Sequence, residues 1–306
     1  MFDHFVWSVL AVPVMVVALV TLLADRLPPS PAARLLAWSA AGTALASLLN
    51  VAAFTVKAVA EIPFVAGLFG WSYRTVVADT GHVRWVPWLC VLLMGWAAVA
   101  AARVVRRHRG GRAWALRLGG VAAEDGIVVV PSADVAAFAV PGRPGHVVVT
   151  TGMRESLDDD QYAALLAHER AHLDQDHPRL MLLSDLAGAV HPALRWVSRR
   201  VDYLVERAAD EHAAAAIGDR RTLAGAIGAA ALAARGRPAL GSGPLASFAR
   251  PRRPGAVPRR VAALLHQARG GRLWPAAVPA VLAVSSLVWT GEALYDLVEL
   301  LILAHG

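Results

Sequence analysis

Four stretches of this chain are long and apolar enough to call for a bilayer, and they limit what it can fold into more than any other feature. Phe5 to Ala24 is nearly uncharged and supplies the roughly 20 residues that cross about 30 Å of hydrocarbon as a helix. Leu35 to Ala60 is a second stretch, interrupted only by Asn50 and Lys57. Trp85 to Val105 is a third, and Trp85, Trp88 and Trp96 suggest interfacial anchoring towards its start. Trp274 to about Leu303 holds a fourth, whose polar end carries Glu292, Asp296 and Glu299. The first stretch lacks a basic leading region and a small-residue cleavage site, so it reads as a retained span and not a signal peptide. With 57% hydrophobic residues and a mean hydropathy of +0.48, the whole chain is too apolar for an ordinary soluble protein.

Charge then orients the spans. Arg103, Arg106, Arg107, Arg109 and Arg112 crowd the end of the third stretch, which the positive-inside rule assigns to the cytoplasm. Arg26 and Arg34 fall on the same side, Arg269 and Arg272 precede the last stretch, and its acidic end falls outside. All four spans therefore agree on both termini outside and the region between the third and fourth spans inside. The net charge of +7 and pI near 10.6 invite a nucleic-acid reading. The basic clusters at Arg103–Arg117 and Arg250–Arg260 lie beside spans or in a Pro/Gly-rich loop, without interleaved aromatics or a DNA-binding motif. Anionic headgroups account for them, and no nucleic-acid partner is expected. Arginine in place of lysine, with abundant alanine, valine and glycine, suggests a GC-rich bacterial source and hence the bacterial plasma membrane.

The inside region carries the chemistry. His168-Glu169-Arg170-Ala171-His172 is an HExxH sequence. On a helix, residues four apart share a face with Cβ atoms about 5–6 Å apart. Both imidazoles then reach one Zn²⁺ at about 2.0–2.1 Å, and Glu169 sits where it can polarise the water. Ser156-Leu157-Asp158-Asp159 is a capping-box variant with an acidic first turn. Tyr162 to Leu173 continues as helix, and His177-Pro178 ends or kinks it. Downstream, Val201 to His212 is again helical in composition. Glu206 and Asp210 share a face there. Glu206 would complete a His-His-Glu shell with one open position, and Asp210 could hold the outer N–H of a ligand histidine.

Other residues are weaker candidates. His212 could approach the substrate or its oxyanion, although a surface helix position suits it as well. His146, His177 and His191 read as structural. Cys90, the only cysteine, lies in the third stretch, so no disulfide and no cysteine-ligated zinc is expected. Pro178–Val197 is apolar but carries Arg179, Asp185, His191 and Arg195, which suits an amphipathic helix at the membrane or on the site better than a full span. Gly126–Pro131, Val135–Val140 and His146–Thr150 read as short strands of a small antiparallel sheet. By analogy with zincins, the Gly145–Thr150 strand would offer an edge to an extended substrate.

The HExxH at 168–172 followed by Glu206-Arg207-Ala208-Ala209-Asp210 resembles the gluzincin arrangement of integral-membrane metallopeptidases. The chain is most similar to the BlaR/MecR-type family, and more distantly to HtpX/Ste24-type membrane proteases. Ala137–Gly142 and Val147–Gly152, His191–Trp196 leading to Arg199-Arg200, and Phe248 with Arg259–Leu265 resemble the flanking segments of that family. The resemblance implies His168, His172 and Glu206 as ligands of one zinc ion, Glu169 as general base and Asp210 as the orienting acid. It departs in one respect. BlaR-type sensors carry a penicillin-binding domain after the last span, and residues up to Gly306 include none. Lys57, the only lysine, stands in no Ser-x-x-Lys motif, so acylation by that route is excluded.

The expected architecture is a mainly α membrane protein with about four transmembrane helices and a cytoplasmic α+β, zincin-like peptidase domain. Residues 1–105 would hold three spans, 106–270 the peptidase and 271–306 the last span. The expected activity is zinc-dependent endopeptidase cleavage of a protein or peptide, the family resemblance pointing to a cytoplasmic transcriptional repressor. The alternatives are quality control of membrane proteins and a non-enzymatic membrane signalling or scaffold role. The lipid bilayer is the other expected partner, and the oligomeric state is left open.

Overall fold

In a computed structural model, residues 2–118, 125–234, 255–266 and 274–305 are described. Phe248, Arg250, Arg269 and Arg272 lie outside them, as do the side chains of Arg112 and Arg117. The chain is mostly helical. α1 (Phe2–Phe5), a π-helical turn (Val6–Ala11) and α2 (Val12–Leu23) form the first apolar rod. α3 (Pro29–Ala60) starts on a proline, whose missing N–H is one that a helix start leaves unpaired anyway. The short α4 (Pro63–Phe69) and α5 (Tyr73–Asp79) lead to α6 (Trp85–Leu118), and α13 (Trp274–His305) closes the chain. Four helical stretches are long and apolar enough to cross a membrane: Phe2–Leu23, Pro29–Ala60, Trp85–Gly110 and Ala277–His305. They coincide with the four apolar stretches of the sequence.

α3 is the common wall, packed against α6, α13 and two helices of the region between α6 and α13. Its polar residues are used between helices. Ser47 Oγ donates to the Ser8 carbonyl at 2.7 Å, and Asn50 Nδ2 donates to Thr290 Oγ1 at 2.7 Å. Such bonds hold apolar helices together where the hydrophobic effect between them is weak. Gly42 lets α13 approach closely, since a Cβ there would stand 3.3 Å from that of Ala283. Lys57 is fully buried. Its ammonium donates to Glu61 Oε1 at the end of α3 and to the Val76 carbonyl and Thr80 Oγ1 at 2.7–2.8 Å, so two of its three protons tie α3 to α5.

The sheet has three strands, β1 (Ile127–Val130), β2 (Ala137–Val140) and β3 (His146–Thr150), in the order β1-β3-β2. β2 pairs antiparallel with β3, but β1 pairs parallel with it. The sheet is therefore mixed, not antiparallel, and β3 is its centre, not its edge. The reason lies in the β1–β2 connection. Thr150 Oγ1 donates to the Asp134 carbonyl and accepts from the Ala136 N–H, while Thr151 Oγ1 donates to the Ser132 carbonyl. These bonds carry the connection past the end of β3. Gly152 permits it, because a Cβ there would meet the Ala133 carbonyl oxygen at 2.5 Å. Val147, Val148 and Val149 are buried on both faces of the sheet, against the following helices on one side and Phe138 and Val140 on the other.

The remaining helices are α7 (Thr151–Glu155), α8 (Asp159–Asp174), α9 (His177–Val190), α10 (Arg195–Ile217), α11 (Arg220–Ala233) and α12 (Ala256–Leu265). Asp158 caps α8 in a capping box with Gln161. Asp176 then adopts a left-handed backbone (φ 55), and Pro178 opens α9 instead of kinking α8. At 14 residues α9 is too short to span. It packs on α3, α6 and α10, and the His191 ring nitrogen Nε2 lies 2.9 Å from the Val9 carbonyl oxygen. Leu180, Leu194, Val197, Val201 and Leu204 share one apolar cluster with Val16, Val20, Leu36 and Ala40. α9, α10 and the apolar rods thus have a common core.

Because β3 is central, Val148→Pro is expected to destabilise the fold, not merely weaken substrate binding. Proline removes a ladder N–H and strands a buried carbonyl, a loss of about 1–3 kcal/mol before any packing cost. Thermal unfolding of the purified variant in detergent should show a lowered midpoint.

Candidate metal centre

The HExxH residues lie on the third and fourth turns of α8, on the face turned to α10. His168, Glu169 and His172 are all buried. From α10, Glu206 meets them. His168 Nε2 and His172 Nε2 are 3.3 Å apart, and the Glu206 oxygens stand 3.7 Å and 3.8 Å from them. Donor atoms at 2.0–2.1 Å from a tetrahedral zinc are separated by about 3.3–3.4 Å, so the three groups converge as zinc ligands must. Among the described residues they form the one cluster of histidine, cysteine or carboxylate side chains able to hold a metal ion. The Glu206 side chain keeps 37% of its surface exposed, which leaves one side of the centre open for water or substrate.

Each histidine has a partner behind it. Asp210 Oδ1 lies 3.0 Å from His168 Nδ1, at ion-pair distance but without the alignment of a full hydrogen bond. His177 Nδ1 lies 3.0 Å from His172 Nδ1. If His172 binds metal through Nε2, its Nδ1–H donates to His177, which must then be the Nε2–H tautomer. The sequence reading treated His177 as structural. It stands five residues beyond His172 across the left-handed break at Asp176, a spacing that no helical periodicity flags.

Arg260, from α12, is the second residue whose role the sequence reading missed. Its guanidinium clamps Asp210 in a fork, Nε to Oδ2 at 2.8 Å and Nη2 to Oδ1 at 2.6 Å. Nη1 is also 2.7 Å from Glu206 Oε2. The side chain is buried, and a buried cation requires such pairing. The only signal in the sequence was the Arg259-Arg260 pair on an amphipathic helix. His212 is exposed and faces Asp174 Oδ2 at 3.6 Å, at the end of α8 and outside the donor cluster.

Electrostatics sorts the titrating groups. Burial works against the charge of Glu206, but Arg260 and the two histidines hold its carboxyl well below the usual range. Asp210 is likewise lowered, burial being outweighed chiefly by Arg260. Burial also disfavours protonated His168, yet Asp210 and Glu206 hold its pKa up to about 9. Burial pushes His172 down to about 4 and His177 to about 3. Among the described residues Glu206 and Asp210 face Arg260 and His168, and a divalent cation that displaces the His168 proton would keep that balance. The donor set and its spacing fit zinc.

The comparisons with known proteins agree with this geometry. Residues 101–188 match the model of Peptidase family M48, a family of zinc-dependent peptidases. The matched stretch covers under a third of the chain and includes His168, Glu169 and His172; Glu206, Asp210 and Arg260 lie beyond it. No curated protein and no solved structure gives a significant match. The match supports a metallopeptidase.

His177→Ala is expected to weaken zinc binding about 10–100-fold, the usual cost of losing the partner behind a ligand histidine. Competition with a chromophoric chelator would measure it.

Proposed function

We propose that the chain is an integral-membrane zinc metalloendopeptidase whose site opens at the cytoplasmic face. The observation that carries this reading is the convergence of His168, His172 and Glu206 beside Glu169, which a merely structural zinc site would not need. Zinc, when bound, supplies a Lewis acid that polarises the scissile carbonyl and its attacking water. Glu169 follows the first ligand on α8 and accepts the proton of the attacking water, then returns it to the leaving amine. Asp210 and His177 orient the two imidazoles, and Arg260 keeps Asp210 and Glu206 charged. Of the two outer strands, β2 is the one packed against α8. Its outer side, and not β3, is the edge we assign to an extended peptide.

Glu169→Gln is expected to retain zinc and lose peptide hydrolysis, whereas His168→Ala should lose both. Metal analysis with a purified cleavage assay separates these outcomes, and full proteolysis by Glu169→Gln would refute the assignment. The resemblance to BlaR/MecR-type proteins favours a cytoplasmic repressor as substrate. The HtpX-type alternative, clearance of membrane proteins, is distinguished by the breadth of substrates stabilised in cells carrying Glu169→Gln. A non-enzymatic signalling or scaffold role would leave cellular peptides unchanged.

The proposed topology rests on Arg103, Arg106, Arg107 and Arg109 at one end of α6 and on Arg26 between α2 and α3. With Cys90 replaced by serine, Gly67→Cys on α4 should react with a membrane-impermeant maleimide in intact cells. Asp160→Cys on α8 should react only after permeabilisation. The reverse pattern would invert the topology.

A further inference from the structure

The first turns of α3 and the start of α13 line a groove of about 580 Å³, bounded by Ser30, Pro31, Arg34, Leu35, Trp38 and Trp274. Both helices pass from here into stretches able to cross a membrane. Trp38 and Trp274 leave 66% and 67% of their surface uncovered, a costly display of indole in water but a favourable one at the boundary of hydrocarbon and headgroups. Between them lies Arg34, which is exposed and, among the described residues, makes no ion pair. Its planar fork matches the oxygens of a phosphodiester.

We infer that this groove seats the headgroup of one anionic phospholipid, its phosphate on Arg34 and its glycerol backbone and first methylenes against Trp38, Leu35 and Trp274. A free anion would be served by Arg34 alone and would gain nothing from two exposed indoles flanking it. A zwitterionic lipid would bring a second cation to a site that offers no carboxylate among its lining residues. The groove also adjoins the end of the helix that bears the HExxH residues, because Ser30 Oγ donates to Gln175 Oε1 at 2.8 Å and Gln175 caps α8. The inference rests on the membrane reading of the four apolar helices and not on the zinc chemistry.

Native mass spectrometry of the full chain in detergent, with phosphatidylglycerol and phosphatidylcholine at equal concentration, tests it. The wild type should retain one phosphatidylglycerol with about tenfold preference, equivalent to about 1.4 kcal/mol. Arg34→Gln should bring the preference to near parity, while Trp274→Leu should lower retention of both lipids; zinc content should stay unchanged in each. A preference that survives Arg34→Gln would overturn the inference. So would displacement of the lipid by inorganic phosphate, which would assign the groove to a free anion. Extraction of the chain from cell membranes by carbonate alone would instead overturn the membrane reading beneath it.

Discussion

The packing of α10 on α3 is the contact on which the candidate site depends. Val197, Val201 and Leu204 on α10 share a cluster with Leu36, Ala37 and Ala40 on α3, all with at most 1% of their surface exposed. Helix packing at this density tolerates little rotation, since a turn of α10 about its axis would unpack that face. Glu206 and Asp210 occupy another face of the same rod. The apolar stripe fixes the azimuth at which they meet α8, so the geometry of the candidate site follows from a hydrophobic contact on another face of the helix.

The polar part of the site depends on that packing as well. Asp210 is almost fully buried, and a carboxylate there would be lost to protonation without compensation. Arg260 provides it, in a two-pronged bond that also reaches Glu206. The guanidinium sets the ionisation of both acids while leaving Glu206 partly open. A single cation from α12 thus keeps α10 charged where it faces α8.

What could be read from the sequence divides along the range of the interaction. His168, His172 and Glu169 were legible because the spacing itself specifies one helix face. Glu206 and Asp210 were legible for the same reason once a first motif gave them a partner. The four apolar stretches were legible from length and composition. Arg260 and His177 were not: Arg260 acts across about fifty residues of chain, and His177 acts across a left-handed residue that breaks the periodicity. The place of β3 was legible in principle, because Val147-Val148-Val149 is apolar without alternation, the mark of a strand buried on both faces. The edge expected of Gly145–Thr150 comes from analogy with zincins and not from this run. The parallel β1–β3 pairing comes instead from threonine hydroxyls bonding distant backbone, which no local pattern displays.

The links between the centre and the apolar helices converge on one element. α10 is held to α3 by its apolar stripe. α8 is held to the first turn of α3 through Gln175 and Ser30. α9, which carries His177 behind His172, packs along α3 and ends at His191 beside Val9. Three helices that bear ligands or their partners therefore take their positions from the same rod. Helices of this kind can be positioned on a core of their own; here the cluster behind α9 and α10 is completed by residues of the apolar stretches. The geometry of the candidate site is therefore coupled to the seating of α3. A shift of α3 along its axis would strain the contacts that hold Gln175, α9 and α10 together.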